Sequence, residues 1–284
     1  MRIPLPASEN DSTTPQMNEQ PPQPSASPSI APAWHTILLV IAIIALSIHG
    51  ASSLSAIHGE LNRLPTYGLT AATELAMLAW VIFGLRLRKI PFLSLLGSCP
   101  VNFRSIASDL GFALLFWIAS LMVLGTLSIA WSGVEAALAH RTPATLAAGH
   151  SEQSPLFPDP SRLEALRELA KLAPANGREI AAWALLCMIV GFVEEIVFRG
   201  YLQRQFIGWA RGRVAAGVLV SAVVFGAAHA YQGARSMVLL SVFGVLFSLL
   251  ALCRRSLRAG IFAHAGHDFV AGLALALLRS SHIL

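Results

Sequence analysis

Two adjacent carboxylates sit inside an apolar run, Gly191-Phe-Val-Glu194-Glu195-Ile-Val-Phe-Arg199-Gly200. On a helix, Glu195 and Arg199 lie four residues apart with the acid first, the favourable order for an ion pair on one face. Glu194 points about 100° away and finds no partner on its own helix. A carboxylate left in that position is suited to take a proton from water as a general base. Two more one-turn motifs follow in the chain. Phe225-Gly-Ala-Ala-His229 places a ring and an imidazole on one face, with small residues between them that admit a close neighbour. His264-Ala-Gly-His267-Asp268 places His264 and Asp268 on one face, while His267 points elsewhere and reads as structural. Each motif also has a bland reading: an ion pair that assembles helices, a histidine satisfied at a helix end, an interhelical hydrogen bond. Their coincidence in the last hundred residues of a chain whose apolar segments otherwise hold almost no ionisable groups favours a site. His35, His49, His58, His140, His150 and His282 fall at segment ends or in loops and make no such case.

The elements that must position these residues are membrane helices. Hydrophobic residues make up 55% of the 284 and charged ones 12%, against about 25% charged in ordinary soluble domains. With a mean hydropathy of +0.63, a soluble protein would expose large apolar patches. The expected fold class is all-α, a polytopic transmembrane helix bundle with about seven spans and a disordered N-terminal tail. Residues 1–33, rich in Pro, Ser, Gln and Asn, read as that tail. Apolar segments follow at 34–54, 66–87, 106–132, 179–209, 213–230, 235–253 and 258–280. They group into an N-terminal unit of three helices at 34–132, a loop at 133–178 and a second helical unit at 179–280. Within the loop, Ser161–Leu172 has a helical pattern bounded by Pro160 and Pro174 and predicts a short surface helix.

Charge sets the expected orientation. Arg86, Arg88, Lys89 and Arg104, then Arg204, Arg211 and Arg213, then Arg254, Arg255 and Arg258 form three basic clusters. All fall on one side if every segment spans, and the positive-inside rule makes that side, with the N-terminus, cytoplasmic. The same rule accounts for the net charge of +5 without nucleic acid. Cys99, Cys187 and Cys253 are odd in number and lack metal-knuckle spacing, so neither a disulfide framework nor zinc is indicated by them. Measured from the turn near Arg211-Gly212, Glu194 and His229 each lie roughly 25 Å along their helices, so they can face each other. His264 lies only about 12 Å from the turn at Arg254–Arg258. Either that turn is deep, or the last helix starts late.

At these residues the chain resembles the CAAX protease and bacteriocin-processing (CPBP, or Abi) family of intramembrane proteases. That family's motifs, EExxxR, FxxxH and HxxxN/D, read here as Glu194-Glu195-Ile-Val-Phe-Arg199, Phe225-Gly-Ala-Ala-His229 and His264-Ala-Gly-His267-Asp268, in the same order. The resemblance covers about residues 179–280. It implies a membrane-embedded endopeptidase acting on a lipidated or membrane-associated protein or a leader peptide. It further implies that Glu194 activates water with His229, that His264 and the residue at 268 stabilise the oxyanion, and that Glu195, Arg199 and Phe225 support them. The best-understood members carry Asn at the last position. Asp268 donates a hydrogen bond only when protonated, so orienting His264 is its alternative role. A Glu with two His would suit zinc, but no HExxH is present and water activation by Glu194 requires no cofactor. The expected partners are the bilayer and a membrane-associated peptide or protein, and the expected location is a bacterial inner membrane. Two other classes use the same residues: a proton-coupled transporter, for which repeats or broken helices are expected and not seen, and a non-catalytic scaffold or immunity protein of the same fold.

Overall fold

The computed structural model describes residues 29–55, 62–97, 102–139 and 160–281. Most of the expected disordered tail, and the part of the loop at 140–159, lie outside these residues, as do Cys99, His58, His140, His150 and His282. The described residues form helices α1 (Ala33–Ser55), α2 (Arg63–Leu87), α3 (Phe103–Ala139), α4 (Pro160–Leu172), α5 (Gly177–Trp209), α6 (Val214–Ala228), α7 (Ala234–Arg254) and α8 (Arg258–Ser280). The protein is thus all-α. A backbone surrounded by hydrocarbon must satisfy its own N–H and C=O groups, and helices do so within the segment.

Six of the helices are long and apolar enough to cross a membrane. The seventh expected span, at 213–230, forms the 15-residue α6, shorter than the roughly 20 residues a full crossing takes. It ends at His229 and passes through a short turn at Ala230–Gln232 into α7. Helix α3 also departs from expectation. It continues past 132 to Ala139, so that its 37 residues reach about 55 Å. Arg235 holds this extension by donating to Ser128 and Ser132 and pairing with Glu135 at 3.3 Å.

The two ends of the bundle are tied differently. At one end the basic clusters meet. Arg204 donates to the Ser94 carbonyl at 2.8 Å, the Leu257 N–H donates to Leu96 O at 3.1 Å, and Arg254 and Arg258 both pair with the fully buried Asp109. At the other end, Arg63 pairs with Glu179 at 3.6 Å, Tyr67 donates to Leu172 O, and Arg279 donates to the carbonyls that end α4. Helix α4 is therefore fastened to the second end by the side chains of α2 and α8.

Helix α5 is the axis of the core and packs against α2, α6 and α8. Its start is capped by Asn176, whose side chain accepts from the Glu179 N–H. Its middle, Glu195–Leu202, is a π-helical segment in which every residue is buried. Opening the ladder from i+4 to i+5 bonds exposes carbonyls. Phe198 O receives both the Gln203 N–H and the Ser221 hydroxyl, the latter at 2.7 Å from α6. Past Phe198 the polar residues Arg199, Gln203 and Gln205 are buried. Gln205 bonds the backbone of Ile30 and Ala31, and so fastens the chain just before α1.

Candidate active site

The two adjacent acids of α5 diverge in their partners. Glu195 lies 3.0 Å from Arg199 Nη1, and both side chains are almost fully excluded from solvent. The guanidinium is sandwiched by rings, with its carbon 4.3 Å from the Phe225 centroid and 4.8 Å from that of Phe247. The ion pair expected from spacing is therefore formed, and Phe225 is one of the faces that enclose it. Glu194 turns to the cavity wall instead. Its partner comes from α8: Oε2 is 3.6 Å from His264 Nε2.

His264 joins the acids of two helices. Its Nδ1 lies 3.2 Å from Glu195 Oε1, while Nε2 faces Glu194 and lies 3.8 Å from Asp268 Oδ2 one turn along α8. A carboxylate accepts, so Nδ1–H is the donor to Glu195. The ring is enclosed by Phe247, at a centroid distance of 5.1 Å, and Phe225, at 6.0 Å. Helices α5 and α8 come close enough for these contacts because glycines face the crossing. A Cβ on Gly191 would stand 2.7 Å from the Ala265 nitrogen, and one on Gly260 would stand 2.8 Å from Glu195 Oε2.

The depth of His264 follows from the turn that precedes α8. A Cβ on Gly200 would lie 3.2 Å from Leu257 Cδ1, so that turn packs against Gly200 rather than against the end of α5. Gly200 stands six residues past Glu194 and His264 six residues past Arg258, about 9 Å in each case. The two side chains are thus level, and of the two expectations the deep turn is the one realised.

His229 caps α6 with its Nδ1 2.9 Å from Phe225 O and its ring 4.9 Å from the Phe225 ring. Since the carbonyl accepts, Nδ1–H is the donor, and Nε2 is the ring nitrogen left for the cavity. The structure has no hydrogen bond between His229 and Glu194 among the described residues, but both line one cavity of about 720 Å³, together with His264 and Asp268. His267 also reaches this wall. It accepts from Trp117 Nε1 at 3.3 Å and packs on Phe243, in keeping with a structural part.

Two ionisable residues in the N-terminal spans escaped the sequence reading. Asp109 of α3 serves the basic end described above. Glu74 of α2 is 7% exposed, lines the same cavity as Glu194, and its Oε2 has no hydrogen-bond partner among the described residues. A lone carboxylate in the middle of an apolar span was the signal that marks it. His35, set aside as a segment-end histidine, is fully buried: Nδ1 is 2.8 Å from the Tyr201 hydroxyl, Nε2 is 2.8 Å from Trp80 O, and the ring stacks on Trp80. It joins α1 and α2 to the π segment. As for a metal, no group of three or more His, Cys, Asp or Glu among the described residues is disposed to hold one. Glu194 and Asp268 both approach the same ring nitrogen of His264 rather than a shared point beside it.

The arrangement offers a buried carboxylate, an imidazole whose Nε2 has no hydrogen-bond partner among the described residues and a second imidazole between acids, all reaching one cavity inside an apolar bundle. A profile of the family described as type II CAAX prenyl endopeptidase Rce1-like matches residues 176–270, about a third of the chain. The match opens at the cap of α5 and takes in Glu194, Glu195, Arg199, Phe225, His229, His264 and Asp268, while α1–α3 stand outside it. No curated protein and no solved structure gives a match. Residues 176–270 accordingly form a domain of the Rce1-like type II CAAX prenyl endopeptidase family, a family of membrane peptidases.

Proposed function

We propose that the cavity is the active site of an intramembrane endopeptidase in which Glu194 is the general base. The observation that carries this reading is the division of labour between the paired acids. Glu195 is committed to Arg199 and His264, whereas Glu194 lies on the cavity wall with Oε2 free of hydrogen bonds among the described residues. Glu194 takes a proton from a water molecule held between it and Nε2 of His229, and the resulting hydroxide attacks the scissile carbonyl carbon. His264 donates from Nε2, in its imidazolium form, to the carbonyl oxygen as negative charge develops there. Asp268, one turn away, orients that ring. Collapse of the tetrahedral adduct breaks the C–N bond, and Glu194 returns its proton to the leaving amine. Glu195 and Arg199 hold Nδ1 of His264 and the register of α5. The mechanism routes no step through a metal.

The substrate is a membrane-associated or lipidated protein, whose apolar part occupies the portion of the cavity lined by Ile43, Leu46, Leu169 and Leu172. The enzyme works in a bacterial inner membrane with its basic end and N-terminus cytoplasmic. The test is cleavage of a lipidated peptide by purified protein in liposomes. Glu194→Gln is expected to lower kcat by about 10²–10⁴-fold, and a chelator to leave the rate unchanged. Full activity of Glu194→Gln would overturn the assignment, and a chelator-sensitive rate restored by zinc would overturn the metal-free step.

A further inference from the structure

Among the described residues, three carboxylates, Glu74, Glu194 and Asp268, and three imidazoles, His229, His264 and His267, reach the cavity wall, and no Lys or Arg does. Arg199 stands behind the wall, paired with Glu195 and covered by Phe225 and Phe247. Of the three carboxylates, Glu74 is the one that the proposed mechanism leaves unused. It stands on α2, outside the residues that match the peptidase family. It is more than nine-tenths buried, faces the cavity, and Oε2 lacks a hydrogen-bond partner among the described residues. A buried acid without a protein partner is costly to keep. A ligand that supplies the partner removes that cost.

The approach to Glu74 is polar as well. Thr66, Thr70 and Thr73 line the cavity on the same helix, between its first turn and Glu74. Each hydroxyl donates back to the carbonyl four residues earlier, at 3.0 Å, which leaves its oxygen lone pairs for a donor in the cavity. The track from the α4 end of the bundle therefore offers acceptors: three hydroxyl oxygens and then a carboxylate. A group that donates hydrogen bonds and carries positive charge is what such a track takes.

We propose that Glu74 is a specificity-determining residue that binds a basic side chain of the substrate, close to the bond cut at Glu194. This rests on the endopeptidase reading above. The distance along the bundle gives the position of the basic residue. Helices α2 and α5 start level, since Arg63 and Glu179 are bridged. From there Glu74 is eleven residues in and Glu194 fifteen from Glu179, about 16 and 22 Å of helix. The difference of about 6 Å is spanned by about two residues of extended peptide.

The experiment uses the full-length protein in liposomes and short lipidated reporter peptides, alike except for Lys, Leu or Glu two residues from the cleaved bond, which mass spectrometry maps. Wild type is expected to favour the Lys peptide over the Leu peptide by about tenfold in kcat/KM. Glu74→Gln is expected to bring that ratio close to one, and Glu74→Lys to shift preference toward the Glu peptide. A Lys preference that survives Glu74→Gln, or an equal loss on every peptide, overturns the proposal. Equilibrium binding of the same peptides to Glu194→Gln, with and without Glu74→Gln, separates the two readings. A Lys preference in binding that disappears with Glu74→Gln supports the Glu74 role even where no peptide is cut, and in that case only the peptidase reading falls. No preference in binding overturns the Glu74 role alone.

Discussion

Glu194 and Glu195 are neighbours in sequence with opposite energetic positions. Glu195 is half of an ion pair from which water is excluded, and Arg199 has no other acid within pairing distance among the described residues. Removing one partner of such a pair strands a charge, which costs about 3–5 kcal/mol. Glu195→Gln is therefore expected to lower stability by about that amount and to abolish activity. Glu194→Gln is expected to lower kcat by about 10²–10⁴-fold and change stability by less than about 1 kcal/mol, because its contact with His264 at 3.6 Å is longer than a hydrogen bond. Denaturation in detergent, followed alongside peptide cleavage, separates the two. Equal destabilisation by both variants would remove the distinction between the acids on which the assignment of Glu194 stands.

Elements meet at positions where no side chain intervenes. At Gly191 an added methyl would strike the backbone nitrogen of Ala265, which the helix cannot move. Gly191→Ala is expected to cost about 1–3 kcal/mol by overpacking. At Gly260 the obstacle is the tip of the Glu195 side chain, which can swing. Gly260→Ala is thus expected to be milder in thermal melts than Gly191→Ala, but to reduce cleavage, since the displaced carboxylate is the one that holds Nδ1 of His264. The π segment supplies a third test. Ser221→Ala removes one of the two donors to Phe198 O and is expected to cost about 1 kcal/mol. Hydrogen exchange over residues 198–203 should quicken, and unchanged protection there would show that Ser221 is not what secures the widened turn.

For the whole molecule, the proposal that the basic end is cytoplasmic can be tested directly, because the two ends are built differently. Arg88 belongs to the basic end and Arg178 to the end fastened by Arg63, Glu179 and Arg279. In a cysteine-free background, Arg88→Cys is expected to react with an impermeant thiol reagent only from the cytoplasmic side, and Arg178→Cys only from the opposite side. Labelling of both from one side would contradict the orientation read from charge. The cavity lies nearer the second end, being lined by Leu169, Leu172 and Ala173 at the close of α4.

Much of this protein is local and can be read along the chain. Hydropathy located the long helices to within a few residues at most ends, because a spanning helix must satisfy its backbone internally and show lipid an apolar surface. The Glu195–Arg199 pair was equally legible, being a matter of one helical turn. The three motifs named their residues by type and spacing. Other features depend on elements far apart in sequence. No local pattern distinguishes a continuous α-helix from the π segment of α5, whose open carbonyl is answered by Ser221 more than twenty residues on. The level of His264 depends on where the turn before α8 packs, and that is set by Gly200 on another helix. Glu74, which no motif marks, and His35, which sits at a segment end, share one reason: a single polar residue in a span says that it needs a partner, and only packing says which one. Residue chemistry and one-turn spacing thus named the acids and imidazoles and the acid that an ion pair consumes, but tertiary structure decided what the other acid faces: a cavity wall beside His264 from another helix. That placement is made by helices brought together over sequence distances across which spacing carries no information.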